Sequence, residues 1–308
     1  MITETVSYMS ADGRSAIDAR LWMPDDGAPK ALVQIVHGMS EHIDRYEPFA
    51  ECLTRNGFGV CAESHIGHGR SATDAADLGY MPPDGKGILV EDVHALRRSM
   101  QAAYPDVPYF LFGHSMGSFI VRVYLSQHGE GIRGAVICGT GNQSRIVSMV
   151  GRALAQALCK VKGDHHRSKL LDSMGTGAFG RAIEDARTPL DWLSTDPLVV
   201  DAYLADEMCG QTFTVSAYAT LLDLTGEAVT PECASAVPHD LPLLYVAGAQ
   251  DPVGDRGKGV LAAAGLAERA GSEDVRVILY EGMRHEILNE PGKACVYEDV
   301  RDWLEERL

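Results

Sequence analysis

Five consecutive residues, Gly113-His114-Ser115-Met116-Gly117, place a serine between two glycines. They stand where a short apolar run, Pro108 to Phe112, gives way to a helical segment, Met116 to His128. A sharp strand–turn–helix of this kind forces the serine backbone into a strained conformation and lifts its hydroxyl clear of the sheet. Glycines on both sides keep neighbouring chain from clashing, and the helix N-terminus favours negative charge as it develops. An ordinary glycine-rich turn would show the same five letters without this context. A serine hydroxyl is a weak nucleophile, so it needs a base, and the base needs an acid to orient it. The chemistry pointed to is acyl transfer through a covalent intermediate.

Where this turn is used, the chain order is serine, then acid, then histidine. Asp251 follows the late apolar run Leu241 to Ala247, and His285 follows the last one, Val275 to Tyr280. His285 is the only histidine after Asp251, which nearly forces its choice as base. Asp255 is the rival acid, but Asp251 lies nearer the strand end. The oxyanion hole requires two backbone amides: that of Met116, just after the nucleophile, and that of Met39, after the early run ending in His37-Gly38.

The elements that must position these residues follow from short patterns. Val6 to Met9 and Ile17 to Trp22 flank a turn at Ala11-Asp12-Gly13 and predict a β-hairpin. Nearly continuous apolar runs at 31–36, 58–62, 108–112, 134–138, 241–247 and 275–280 predict parallel strands buried on both faces. Helical segments at 46–56, 90–104, 116–128, 259–270 and 296–308 alternate with them, several stopping at glycine. The expectation is an α/β fold with a mostly parallel central sheet and helices on both faces. From 142 to 238 no strand-like run occurs, while Ile146, Val147, Val150, Leu154, Ala157, Leu158 and Val161 recur at helical spacing. The expected division is a core of 1–141 and 239–308, with 142–238 inserted as a mostly helical cap.

The 308 residues are 45% apolar and 23% charged, as in ordinary globular chains. Lysine and arginine number 27 against 43 acidic residues, a net charge of −16 that argues against nucleic-acid binding. Residues Met1 to Val6 show no basic or apolar leader pattern, and seven scattered cysteines form no CxxC pair. Both features fit a reduced, cytoplasmic protein. Eleven histidines invite a metal, yet neither His65 with His68 nor His165 with His166 belongs to a ligand motif. No metal and no cofactor is expected. Lys160, Lys162, His165, His166, Arg167 and Lys169 form a basic stretch in the cap. It reads as a solvated loop or, less simply, as a transient contact with an anionic membrane surface. Oligomeric state is not encoded in any of these patterns.

His37-Gly38-Met39-Ser40-Glu41-His42-Ile43-Asp44-Arg45-Tyr46, Gly67-His68-Gly69-Arg70-Ser71 and Gly113-His114-Ser115-Met116-Gly117-Ser118 together resemble the motifs of monoacylglycerol lipases and bacterial lysophospholipase-like hydrolases. The resemblance runs from the hairpin to the last helix and is weaker in the cap. It implies the α/β-hydrolase fold, a Ser115–Asp251–His285 esterase without cofactor, Met39 and Met116 as oxyanion donors, and a lipid-accepting cap. Glu41, His42 and Arg45 are expected to hold the oxyanion loop in shape. One departure stands out: the family's Asp three residues before the second motif is Ser64 here, beside Glu63. The substrate expected is a monoacylglycerol-like or lysophospholipid-like ester. Short-chain esterase, thioesterase, and amidase or aminopeptidase chemistry use the same parts. An aminopeptidase would need acids such as Asp191, Asp196 or Glu207 placed to hold an ammonium. A binding protein without activity is the remaining alternative.

Overall fold

Runs of five or six apolar residues are too short for helices and, flanked by turns, are buried best as neighbouring strands. In the computed structural model, which describes residues 1–25 and 27–308, they do so; Asp26 lies outside the described residues. The strands are β1 (Ile2–Met9), β2 (Ala16–Met23), β3 (Leu32–Val36), β4 (Gly59–Glu63), β5 (Tyr109–His114), β6 (Gly134–Cys138), β7 (Leu243–Gly248) and β8 (Val275–Tyr280). Their order in the sheet is β1-β2-β4-β3-β5-β6-β7-β8. The hairpin β1–β2 joins antiparallel to β4, and every other pairing is parallel.

The side-chain alternation of a strand divides the core in two. Tyr109 and Leu111 of β5 face one layer, whereas Phe110 and Phe112 face the other. Helices α1 (Glu47–Arg55) and, last in the chain, the helix Lys293–Glu305 pack on the second layer through Phe49, Leu53, Val300 and the fully buried Trp303. The first layer is covered by α2 (Gly85–Ala103) and α3 (Met116–His128), together with the helix Lys258–Ala270. Burying each such large apolar side chain stabilises the fold by roughly 1.5–3 kcal/mol.

Between β6 and β7 the chain is helical: α4 (Arg145–Lys162), α5 (Lys169–Met174), α6 (Thr176–Arg181), α7 (Pro197–Ala205), α8 (Val215–Ala228) and α9 (Pro231–Ser235). The helices Lys258–Ala270 and Lys293–Glu305 are then α10 and α11. Among the described residues, no helix is long and apolar enough to cross a membrane.

Two sequence expectations differ from the structure. The last strand, β8, is only partly buried, because it closes one edge of the sheet and Arg276 points to solvent. Helix α2 begins at Gly85 rather than 90, after a left-handed residue at Asp84.

At the C-terminal end of β4, Glu63 is fully buried and accepts a 3.1 Å hydrogen bond from the Gln34 amide. Its Oε1 lies 3.6 Å from His65 Nδ1, and neither atom has a hydrogen-bond partner among the described residues. Burial pushes the Glu63 carboxyl up to about 8, against the Gln34 hydrogen bond and with the Asp92 charge adding to the rise. The folded chain therefore keeps a proton that the unfolded chain releases near the ordinary glutamate value. Stability from neutral Glu63 is full below that value, falls as pH rises toward about 8, and levels off above it. The urea midpoint of the wild type should therefore drop more between about pH 5 and about pH 9 than that of Glu63→Gln. Equal pH dependence in the two proteins would mean that Glu63 is ionised in the fold.

Candidate active site

Ser115 joins β5 to α3 with φ 54° and ψ −118°, in a region that non-glycine residues rarely occupy. Such a conformation costs about 1–3 kcal/mol and persists only where its surroundings enforce it. Here the Ser115 amide donates to Cys138 O of β6 at 2.9 Å, and the Ser118 hydroxyl donates to Ser115 O at 2.6 Å. The flanking glycines are needed sterically. A Cβ on Gly117 would lie 1.9 Å from Val36 O, and one on Gly113 would lie 2.5 Å from Gly117 O. The helix can start where it does only because both positions lack a side chain.

The loop after β8 carries His285, and the loop after β7 carries Asp251. His285 Nδ1 lies 2.9 Å from Asp251 Oδ2, with both residues almost completely buried. Asp251 Oδ1 accepts from the Val253 amide at 2.8 Å, which fixes the carboxylate's plane. The rival, Asp255, is exposed and does not touch His285. Ser115 and His285 line one cavity, which encloses about 130 Å³ of space reachable by the centre of a water molecule. Met39 and Met116 line it as well, beside Phe119, Phe179, Leu190 and Leu221. Neither the Met39 nor the Met116 amide donates to any group outside its own element among the described residues. The Gly38 amide, by contrast, is taken by Glu41 Oε1 at 2.6 Å.

A buried ionic network underlies these loops. Glu41 Oε1 also accepts from the Tyr46 hydroxyl at 2.8 Å and faces His114 Nδ1 at 3.2 Å. Arg45 donates to Glu41 Oε2 at 2.8 Å and grips Glu286 with two bonds of 2.7 and 2.6 Å. The loop carrying Met39 is thus joined to the loop carrying His285. Burial alone would raise the Glu41 carboxyl, but His114 and Arg45 hold it well below the usual carboxylate range. Burial likewise opposes charge on His114, and the Glu41 carboxylate prevails and raises it. The His114 ring lies 4.9 Å from that of His285.

The loop whose family Asp is replaced by Ser64 is tethered by other means. The Ser71 hydroxyl donates to Ser64 O at 2.6 Å, and the His65 amide donates to His37 Nε2 at 2.9 Å. His37 and His65 stack with ring centres 4.0 Å apart, and His68 meets His37 edge-on. Burial lowers all three, with His65 at about 3 and His68 at about 4, so the cluster is neutral. Within 165–169 of the basic stretch, His165 stacks on Tyr80, and Arg167 donates to Thr212 O and Leu78 O. Arg167 is thereby tied to the segment before α2, whereas His165 and Lys169 stay exposed.

Several residues at this site are given no role by the sequence motifs. Trp192 packs its ring 5.0 Å from that of His285 and accepts from the His285 amide, while Leu193 O accepts from the Glu286 amide at 2.7 Å. Tyr203 donates to Ser40 O at 2.7 Å and lies under the Arg45 guanidinium. Gln143 lines the cavity with an Oε1 that is buried and without a partner among the described residues. All three lie between β6 and β7, where neighbouring residues in space are distant in sequence. The acids Asp191, Asp196 and Glu207 do not line the cavity. Among the described residues, one group of three metal-ligand types stands together: His42, Asp206 and Cys209, off the cavity wall.

Removing Arg45 would leave two buried carboxylates without their cation. Arg45→Ala should cost about 3–5 kcal/mol in urea unfolding. Arg45→Lys should recover only part of this, because an ammonium cannot make the two-pronged contact to Glu286. A loss within about 0.5 kcal/mol, as at ordinary surface sites, would contradict the network's structural role.

Comparison with known proteins agrees with this geometry. The sequence profile of the family described as serine aminopeptidase, S33, matches residues 27–292. The chain is 32% identical to a monoacylglycerol lipase of Mycolicibacterium smegmatis over 94% of this chain and 92% of that one. It is 28% identical to the monoglyceride lipase of Mus musculus, over 97% and 90% respectively. Among solved structures, a highly thermostable carboxyl esterase from Bacillus coagulans, in complex with glycerol, is similar with a TM-score of 0.93 and 33% identity, covering 100% of this chain and 99% of that one. The chain is a serine hydrolase with the α/β-hydrolase fold and belongs to the serine aminopeptidase S33 family.

Proposed function

We propose that this enzyme hydrolyses monoacylglycerol-like and lysophospholipid-like esters, with Ser115 as nucleophile, His285 as general base and Asp251 as the acid that orients it. The observation that carries this reading is the buried 2.9 Å Asp251–His285 pair opening onto the same largely apolar cavity as Ser115. With Nδ1–H donated to Asp251, the His285 Nε2 is the basic nitrogen, available to the serine. Ser115 Oγ attacks the ester carbonyl as His285 takes its proton. The Met39 and Met116 amides stabilise the oxyanion, a contribution on the order of 10²–10³ in rate per donor. The glyceryl alcohol leaves with the proton from His285, and water then repeats the sequence on the acyl-enzyme.

The cavity wall favours an acyl chain over a charged substrate. The side chains Phe119, Phe179, Leu190 and Leu221 offer apolar contact, and the free Oε1 of Gln143 offers an acceptor for a glyceryl hydroxyl. An aminopeptidase would need a carboxylate free to meet the substrate ammonium. Glu41 and Glu286 are held by Arg45; among the described residues Asp172 is the wall carboxylate without a cationic partner, its Oδ1 accepting from Thr176 and Tyr218.

The cap surface suits transient contact with lipid. Ile146, Val147, Met149 and Val150 of α4 are exposed, as are Leu170 and Met174 of α5, with Arg145 and Lys169 alongside. An amphipathic face with basic flanks binds anionic interfaces. A cytoplasmic setting is supported by the cysteines, none of which is paired among the described residues.

Intact-mass analysis after a fluorophosphonate should show one adduct, absent from Ser115→Ala. That variant should keep its fold and lose on the order of 10⁶ in kcat, and Asp251→Asn about 10⁴. Ester hydrolysis retained by Ser115→Ala would refute the nucleophile. In an acyl series, monoacylglycerols of long chain should outrun short p-nitrophenyl esters, thioesters and aminoacyl amides, and any other order would replace the substrate class. Gln143→Ala should raise KM for monoacylglycerol while leaving p-nitrophenyl esters unchanged. Equal effects on both would deny it a role with the head group.

A further inference from the structure

Beside the oxyanion loop, but outside the cavity, two segments distant in sequence meet. His42 follows the loop of Met39, and Asp206 and Cys209 follow α7 in the cap. His42 Nε2 lies 2.8 Å from Asp206 Oδ2, and Cys209 Sγ completes a set of three ligand-type atoms all within 4.8 Å of one another. Asp206 accepts from His42 and also takes a side-chain hydrogen bond from Cys209, so one carboxylate gathers the imidazole and the thiol. Imidazole, carboxylate and thiolate together are the donor set of a borderline-soft divalent ion. Bonds of about 2.0–2.3 Å in a tetrahedron require ligand atoms roughly 3.3–3.6 Å apart. The set therefore needs shifts of an ångström or so in its ligand atoms.

The surroundings support an ion rather than a dry contact. Asp44 Oδ2, which Arg70 holds at 3.0 Å, lies 3.9 Å from the other ring nitrogen of His42, on the side from which a carboxylate orients a metal-bound imidazole. His42 and Cys209 are buried, while Asp206 is about one-third exposed and gives solvent a route in. The adjacent cation, Arg45, is already engaged by Glu41 and Glu286.

We propose that His42, Asp206 and Cys209 form a binding site for a thiophilic divalent cation of the zinc class, which fastens the cap to the oxyanion loop. On binding, the Cys209 S–H bond is replaced by a sulfur–metal bond, the proton passes to solvent, and water completes the tetrahedron. Ser40 O already accepts from the Gly210 amide at 2.9 Å and from Tyr203. The ion would add a third tie across the same junction. The proposal stands apart from the substrate assignment.

The test is cobalt(II) titration of the full chain under a non-thiol reductant. A thiolate-to-cobalt charge-transfer band in the near ultraviolet should grow to one equivalent, be displaced by zinc, and be accompanied by a thermal midpoint that rises with ion concentration. Cys209→Ser should lose the band, and Cys295→Ser, at an exposed thiol, should keep it. Should Cys209→Ser fail to fold, Asp206→Asn provides the second arm, with affinity at least 10-fold weaker. A folded wild type without the band, a band that survives Cys209→Ser, or unchanged affinity in Asp206→Asn would each overturn the proposal.

Discussion

The approach of α3 to the end of β3 is the constraint on which the site depends. A Gly117 Cβ would sit 1.9 Å from Val36 O, so the helix N-terminus rests directly on the strand's last carbonyl. That contact sets the left-handed turn at Ser115 and brings the start of α3 beside the loop leaving β3. Met116 and Met39 line one cavity as a result. The parallel register of β3 with β5, Val36 opposite Gly113, fixes the height at which this happens.

The second layer of control is electrostatic. Glu41 accepts from the Gly38 amide, so that donor is withdrawn from the cavity and the loop is held by its backbone. Arg45 then links Glu41 to Glu286, the neighbour of His285. A buried ion pair of this kind is weak evidence for stability in itself. Its value here is geometric, since one guanidinium relates the loop of Met39 to the loop of His285 across 241 residues of chain.

Most of the core was legible because its signals are local. Apolar runs such as Leu241 to Ala247 and glycine stops such as Gly57 and Gly271 need no knowledge of the rest of the chain. The contact of Asp251 with His285 was legible because a late strand end carries Asp251 and only one histidine follows it. Sequence reasoning also anticipated that Glu41 and Arg45 hold a loop, though not that Glu286 and His114 complete the network. The cap was legible only as helix. The spacing of Ile146, Val147 and Val150 marks one face of α4 but not its direction, and that face points to solvent. Trp192, Tyr203 and Gln143 reach the cavity through tertiary packing, which no periodicity records.

The backbone bonds from His285 and Glu286 to Trp192 and Leu193 bear on how such enzymes can be recombined. An inserted segment with its own helices looks like a detachable module. Yet this one supplies hydrogen-bond acceptors to the histidine loop, so the border between scaffold and insert runs along the loop that carries His285. A chimaera that borrows a foreign cap must bring a matching pair of carbonyls at 192 and 193. Otherwise it inherits a histidine loop without its support.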